Sequence, residues 1–194
     1  QRFADMISKY GISPDDTAAK AIGGGFETGK VAMALTGTFD MPTYQKTIGD
    51  KFAWDVVMLP TSREFGPWKG NLFVDGFGVS AKTTHKDQAW QFIRYMSTDL
   101  AAQKIASGIG IPALSSYAGS PAYLNDFPAG WKPYNKKAFV NMLDRGFIWM
   151  TTGVWAKIND ELDNQFKMLV AGKLSVDQVL ANMDQKGAEY LKGN

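Results

Sequence analysis

The sequence predicts an α/β fold, from three short apolar runs interleaved with helical patterns. The runs at residues 31–35, 54–59 and 72–80 are strand-like and bounded by glycine or proline. Around them, apolar residues recur at steps of three and four, as on a helix face. Phe3, Met6, Ile7 and Tyr10 form the first such stripe, stopped by Gly11. Residues 13–25 hold three glycines and room for one short helix. Residues 31–35 follow as a buried strand, and a glycine break at Gly37 leaves Phe39 and Asp40 at its end. A helix is expected within residues 39–50. The strand at 54–59 stops at Pro60, and Gly66, Pro67 and Gly70 mark residues 61–71 as a linker.

The third strand, residues 72–80, is interrupted by Gly76 and Gly78. Thr84, His85, Lys86 and Asp87 then read as a capping box, with Asp replacing the usual Glu. The helix after it buries Ala89, Trp90, Phe92, Ile93 and Met96. Another helix follows Thr98 and ends before Pro112, and residues 113–150 mix short helices with loops. Trp155, Ile158, Leu162, Phe166, Leu169 and Val170 define a long helix closed by Gly172. Ser175 and Gln178 cap the last helix, which is expected to bury Val179, Leu180, Met183, Tyr190 and Leu191.

Composition bounds the function. Hydrophobic residues are 45% of 194, enough for a packed core, and the net charge is +2 with both signs interspersed. A nucleic-acid partner is not expected, because no clustered basic face is visible. There is no cysteine, hence no disulfide framework or thiolate metal site. No run of about 18 apolar residues suggests a membrane span, and no signal-peptide pattern opens the chain.

Several chemical readings are weak. Gly24 to Lys30 matches G-x-x-x-x-G-K, but Val31 stands where a P-loop needs Ser or Thr, and a strand rather than a helix follows. His85 is the single histidine, it lies in a polar loop, and no G-x-S-x-G elbow is present. Asp15–Asp16 and Asp160–Glu161 lack metal-ligand spacing, so no metal or other cofactor is expected. A glycoside hydrolase could use two of the 19 acidic residues, but no motif selects a pair. The positive signal is aromatic: 13% of residues, including six Trp. A ring matches the C–H face of a sugar, and Asp, Asn, Lys or Arg match its hydroxyls.

Three segments carry a resemblance. They are FETGKVAMALTGTFDMP with FAWDVVMLP (26–42 and 52–60), VDGFGVSAKTTHKDQAWQFIRYM (74–96) and FKMLVAGKLSVDQVLANM (166–183). Together, and in this order, they resemble the extracellular solute-binding proteins of ABC importers, the group that includes maltose-binding receptors. The resemblance implies a two-lobed, type II periplasmic-binding-protein fold, of which this chain is the C-terminal half. It implies that residues 1–67 begin the C-terminal lobe, that 68–113 cross into the N-terminal lobe, and that 114–194 complete the C-terminal lobe. The missing N-terminal half of the same receptor, on the same or a separate chain, and a membrane permease are the implied partners. The implied ligand is a mono- or oligosaccharide, and the implied location is periplasmic or extracellular, with a membrane anchor in a Gram-positive source.

The same resemblance points to ligand-binding residues. Phe39 sits where relatives stack an aromatic on ligand, with Asp40 beside it. Asp75, Gly76 and Phe77 match a cleft-lining glycine-glycine-aromatic run, with Asp75 in place of glycine. Trp149 and Trp155 flank a turn that relatives use as a cleft wall, and Trp68 lies in the linker at the cleft mouth or over the hinge. Burial in the core is the rival reading for Phe39, Phe77 and Trp155. Trp90, Phe92 and Phe166 fall on helical stripes and are assigned to packing. Beside the receptor stand two other readings: a carbohydrate-active enzyme, and an interaction domain without a small ligand.

Overall fold

A computed structural model describes residues 2–64, 66–106, 110–148 and 152–192. Ten helices are assigned among them: α1 (Arg2–Ser8), α2 (Asp16–Ala21), α3 (Met41–Ile48), α4 (Lys86–Thr98), α5 (Leu100–Ala106), α6 (Ser115–Ala118), α7 (Pro121–Leu124), α8 (Lys136–Met142), α9 (Trp155–Val170) and α10 (Val176–Lys192). Four two-residue strands accompany them: β1 (Thr61–Ser62), β2 (Gly66–Pro67), β3 (Gly70–Asn71) and β4 (Gly146–Phe147). The chain divides into two compact units, Gln1–Gly25 with Met150–Asn194, and Phe26–Trp149.

The first unit is helical. Asp15 caps α2 by accepting the Ala18 N–H at 2.7 Å. The capping box expected at Ser175 and Gln178 forms reciprocally: Ser175 N–H donates to Gln178 Oε1 at 2.8 Å, and Gln178 N–H donates to Ser175 Oγ at 3.2 Å. α9 runs from Trp155 to Val170 as its stripe requires, and Gly172 follows at φ +69°, a left-handed stop that suits glycine. α9 packs on α10 and α1. Asn182 donates to Gln165, and Gln165 to Glu161, in a polar ladder across the α9–α10 seam. The seam corrects the expected burial in α10. Val179 is buried and Met183 and Tyr190 half-buried, whereas Leu180 and Leu191 are exposed. Each of these leucines sits one residue past the stripe, about 100° around the helix. On α1, Phe3 and Met6 are likewise exposed, as is Tyr10 beyond its end, and Ala4 is the buried residue.

The second unit is built on α3. Met41, Tyr44 and Ile48, at i, i+3 and i+7, form the buried stripe. Against it pack Phe26, Phe52, Trp54, Val56, Trp131, Tyr134 and Phe139. Tyr44 meets Phe26 at 5.3 Å and Trp54 at 5.9 Å, in tilted and edge-on geometries that favour aromatic pairs. Gln45 ties α3 to the 131–134 turn twice, donating to Lys132 O at 2.8 Å and accepting from Lys132 N at 2.9 Å.

A second, polar staple joins α4 and α5 to the segment beyond Pro112. Gln103 is only 4% exposed. Its amide donates to Met96 O at 2.6 Å, while its carbonyl accepts from Ala113 N at 2.8 Å and Leu114 N at 3.4 Å. The capping box expected at Thr84–Asp87 does not form. α4 starts at Lys86, its N-cap is His85 without a side-chain bond, and Thr83 Oγ1 accepts the His85 N–H at 3.1 Å. α4 also buries nothing fully: Trp90 and Phe92 are exposed, against their assignment to packing, whereas Phe166 on α9 is half-buried.

The expected strands at 31–35, 54–59 and 72–80 are not assigned as strands among the described residues, and of them only Leu72 continues a ladder. Residues 52–58 keep the strand period, with Phe52, Trp54 and Val56 turned toward the core and Ala53, Asp55 and Val57 exposed. The reason is pairing: a strand needs a neighbour within hydrogen-bond reach. The pairs that do form are short. β1 and β2 are antiparallel, Thr61 opposite Pro67. β3 and β4 are parallel, Gly70 opposite Gly146, continued by Leu72 N–H to Phe147 O at 2.9 Å. Leu72 lies so close over Gly146 that a Cβ there would stand 2.2 Å from Leu72 Cγ.

Replacing Gln103 with Leu keeps much of its volume and removes three backbone bonds. The expected cost is about 2–4 kcal/mol, since buried donors and acceptors are left unmet. Urea unfolding of the wild type and variant measures it; a loss below about 0.5 kcal/mol would show that the staple is idle.

Candidate functional site

Phe39 and Asp40 stand where the extended chain turns into α3. Gly37 is extended (φ −125°, ψ −177°), residues 38–40 form a 3-10 turn, and Met41 begins α3 with Pro42 in its first turn. The Phe39 ring folds back over Gly37, where a Cβ would lie 2.5 Å from ring carbon Cε1. Only glycine leaves the ring this position. Phe39 is 60% exposed. The preceding segment was expected to be buried, yet residues 32–35 are exposed here for want of a sheet neighbour.

Asp40 is held from behind, because the Thr36 hydroxyl donates to its Oδ2. The same hydroxyl acts on Tyr44 in the core. Burial, and next the Asp40 charge, push the Tyr44 phenol above its ordinary value, with the Thr36 hydroxyl acting in the opposite direction. Asp40 is thus linked through Thr36 to a buried residue, which orients its carboxylate without burying it.

Asp75, Gly76 and Phe77 lie in the exposed segment 73–80. Phe77 meets Phe92 of α4 edge-on at 6.1 Å and 80°. The two rings, with Val79, Ser80, Ala89 and Ile93, line a groove of ≈ 230 Å³. A Cβ on Gly76 or Gly78 would meet nothing within 4 Å, so packing within this chain does not demand either glycine. Phe39 and Asp40 do not line this groove. Trp68, 37% exposed, closes the β1–β2 hairpin by donating its N–H to Pro60 O at 3.1 Å. Trp155 opens α9 in the other unit and is half-buried. Trp149 lies outside the described residues.

The weak motifs resolve into ordinary structure. Gly24 to Lys30 folds through a 3-10 turn (Phe26–Thr28) and a left-handed Gly29 at φ +75°. An extended segment follows, so no helix N-terminus faces the loop as phosphate binding requires. His85 is exposed before α4. Among the described residues, no group of three His, Cys, Asp or Glu could hold a metal, and no helix is long and apolar enough to cross a membrane.

Sequence reasoning passed over one cluster, in the loops around α7 and α8. Lys136 is 8% exposed. Its ammonium donates to Tyr123 O at 3.2 Å and to Asp126 O, and lies 4.5 Å from the Tyr123 and Phe127 ring centroids. Desolvation lowers its pKa, partly opposed by the Asp126 charge. Tyr123 is shifted strongly upward by burial, and its hydroxyl donates to Gly110 O at 3.1 Å. Beside them, a cavity of ≈ 140 Å³ is lined by Tyr123, Asp126, Pro128, Trp131, Tyr134 and Lys136, with Lys104 completing it. The available signal was the run GWKPYNKK (130–137), where two aromatics and three lysines crowd one loop.

Removing the Asp40 charge tests the link to the core. In Asp40→Asn the Tyr44 pKa should fall toward its ordinary value of 10.0, read by NMR titration of the Tyr44 ring. A raised phenol pKa gives stability that is complete below about pH 10 and is lost as pH rises through the folded value. That alkaline loss should therefore shrink in Asp40→Asn; an unchanged Tyr44 titration would break the link.

Comparison with known proteins bears on the family. No curated protein matches the chain. Among solved structures, an ABC substrate-binding protein from Listeria monocytogenes in complex with cycloalternan superposes with a TM-score of 0.71 at 20% identity, covering 98% of this chain and 47% of the other. The maltose-maltodextrin binding protein of Alicyclobacillus acidocaldarius gives 0.64 at 23% identity, covering 95% of this chain and 48% of the other. The chain therefore spans about half the length of these neighbours, and at these identities the likeness establishes the fold, an α/β portion of a type II periplasmic-binding-protein architecture. The family model for bacterial extracellular solute-binding proteins matches residues 1–137, and the chain belongs to that family.

Proposed function

We propose that this chain is part of the substrate-binding receptor of an ABC importer, and that the receptor takes a mono- or oligosaccharide between two hinged lobes. The observation that carries the reading is the pair of exposed rings, Phe39 and Phe77, at 60% and 53% exposure, each close to a carboxylate, Asp40 or Asp75. Exposed rings are common among the described residues, and these two carry weight through the acidic residue within two positions of each ring. An aromatic face against sugar C–H groups, with carboxylates accepting from hydroxyls, is the chemistry this pairing suits. Each stack would add roughly 0.5–1.5 kcal/mol beyond area burial if aromatic-pair values transfer. The names of the two structural neighbours, one in complex with cycloalternan and one binding maltose and maltodextrin, point the same way.

The lobe assignment follows from this reading. Residues 68–113 cross into the first lobe, and residues 1–67 and 114–194 form the second. A further half, on the same or a separate chain, supplies the strands that pair with residues 31–35 and 72–80. Trp68, Gly76, Trp149 and Trp155 stand at or near the cleft, and closure by hinge bending presents the receptor to a membrane permease. The receptor works outside the cytoplasm, periplasmic or surface-anchored, and does no chemistry on its ligand.

A sugar panel tests this in the full-length receptor by melting temperature and reducing-end release together. Stabilisation without turnover is expected. Turnover abolished by one Asp or Glu substitution would make the protein a hydrolase, and indifference to every sugar would reject the carbohydrate. Phe39→Ala and Phe77→Ala should each weaken binding about tenfold, one lost stack, with unfolding nearly unchanged. Parallel loss of stability and binding would return both rings to the core.

A further inference from the structure

We infer that the cavity beside α7 and α8 binds a small monocarboxylate anion of about acetate size. Lys136 is the reason. It is only 8% exposed. The groups in contact with its ammonium are nonetheless neutral: the carbonyls of Tyr123 and Asp126, and the Tyr123 and Phe127 rings. Buried charges in proteins are ordinarily paired with an opposite charge. The Asp126 carboxylate does not fill that role. It makes no ion pair or hydrogen bond with another described residue, and it acts on Lys136 only at longer range. Lys136 holds the Asp126 backbone carbonyl, so nothing fixes the carboxylate against the cavity.

The lining is rich in donors and net positive. Two ammoniums, Lys104 and Lys136, stand against one carboxylate, so a single negative charge brings the set to neutrality. Two hydrogens of the Lys136 ammonium go to carbonyls, leaving a third. The Tyr134 hydroxyl makes no hydrogen bond to other described residues. Its ring is held by stacking on Trp54 at 5.6 Å and 22° and by meeting Phe127 edge-on at 5.2 Å. Burial raises its pKa, so the hydroxyl remains a donor at neutral pH. The two oxygens of one carboxylate can accept from this phenol and from the ammonium together, in charge-assisted bonds. Burial lowers the Lys136 pKa, and a negative charge beside it acts in the opposite sense. Trp131 and Pro128 supply apolar wall, and Trp131 is anchored on the Met41, Tyr44 and Ile48 core. A short alkyl group suits that wall, which a hydrated halide does not. The ≈ 140 Å³ equals about five waters at ≈ 30 Å³ each, enough for an acetate and too little for a hexose.

The site does not depend on the receptor reading, and the test keeps the two apart. The Trp131 indole N–H of the full chain, assigned by triple-resonance NMR, is followed near neutral pH during titration with sodium acetate. Sodium chloride at matched ionic strength and D-glucose are titrated separately. Acetate should shift the resonance saturably, and the other two should not. Tyr134→Phe, which keeps the ring, should weaken the acetate response about tenfold, the effect of one hydrogen bond to a charged group. Lys136→Met should abolish it. Asp126→Asn should strengthen it several-fold by removing a like charge, a gain that a damaged fold would not produce. The response should persist in Phe39→Ala, whose loss of sugar binding belongs to the other site. No saturable shift with acetate, an equal shift with chloride or glucose, an unchanged response in Lys136→Met, or weaker acetate binding in Asp126→Asn would overturn the assignment.

Discussion

Backbone hydrogen bonding is the constraint on which this structure turns. Residues 31–35, 52–58 and 72–80 have the composition of sheet interior, and within the described residues they have almost no sheet to join. Their side chains show the consequence: Met33 is 85% exposed, Val57 83% and Val74 81%. Apolar strands left open at both edges invite pairing with another chain. The α3 core copes with one of them, using Phe52, Trp54 and Val56 to bury one face of the extended segment. Residues 32–35 stay exposed, and 73–80 are exposed apart from the meeting of Phe77 with Phe92 of α4.

This constraint also explains where sequence reading succeeded. Helices satisfy their own backbones, so their marks do not depend on distant partners: the stripe of α9, the reciprocal cap of Ser175 and Gln178, and the stop at Gly172 were all legible. Strands depend on partners far away in sequence, so 31–35 and 72–80 were readable as apolar runs but not as paired elements. The burial errors share that origin. Trp90 and Phe92 sit on a helical stripe, yet a stripe says only that a face is apolar, not what covers it. Leu180 and Leu191 failed for a more local reason, lying one position off the seam with α9.

The candidate site was legible as residue types and less so as geometry. Glycine at position 37 announced a break ahead of the ring at position 39, and only the structure shows that ring folding back over the glycine. Nothing in the spacing of Thr36, Asp40 and Tyr44 announced that a hydroxyl would join the carboxylate to a buried phenol. The Lys136 cluster was harder still, because its ammonium rests between rings and carbonyls contributed by residues 123–127, contacts that only the folded loop creates. In both places a charged group is oriented by neutral neighbours, and at Lys136 the setting is desolvated, where each hydrogen bond counts for more than in water.

The account's central claim is that the extended segments are sheet strands whose neighbours lie outside these residues. Amide hydrogen exchange measures it directly, by comparing residues 31–35 and 73–80 in this chain alone and in a longer protein that carries the proposed further half. The account predicts rapid exchange in this chain alone and strong protection when the proposed further half is present. Equal exchange in the two, whether fast or slow, would contradict it.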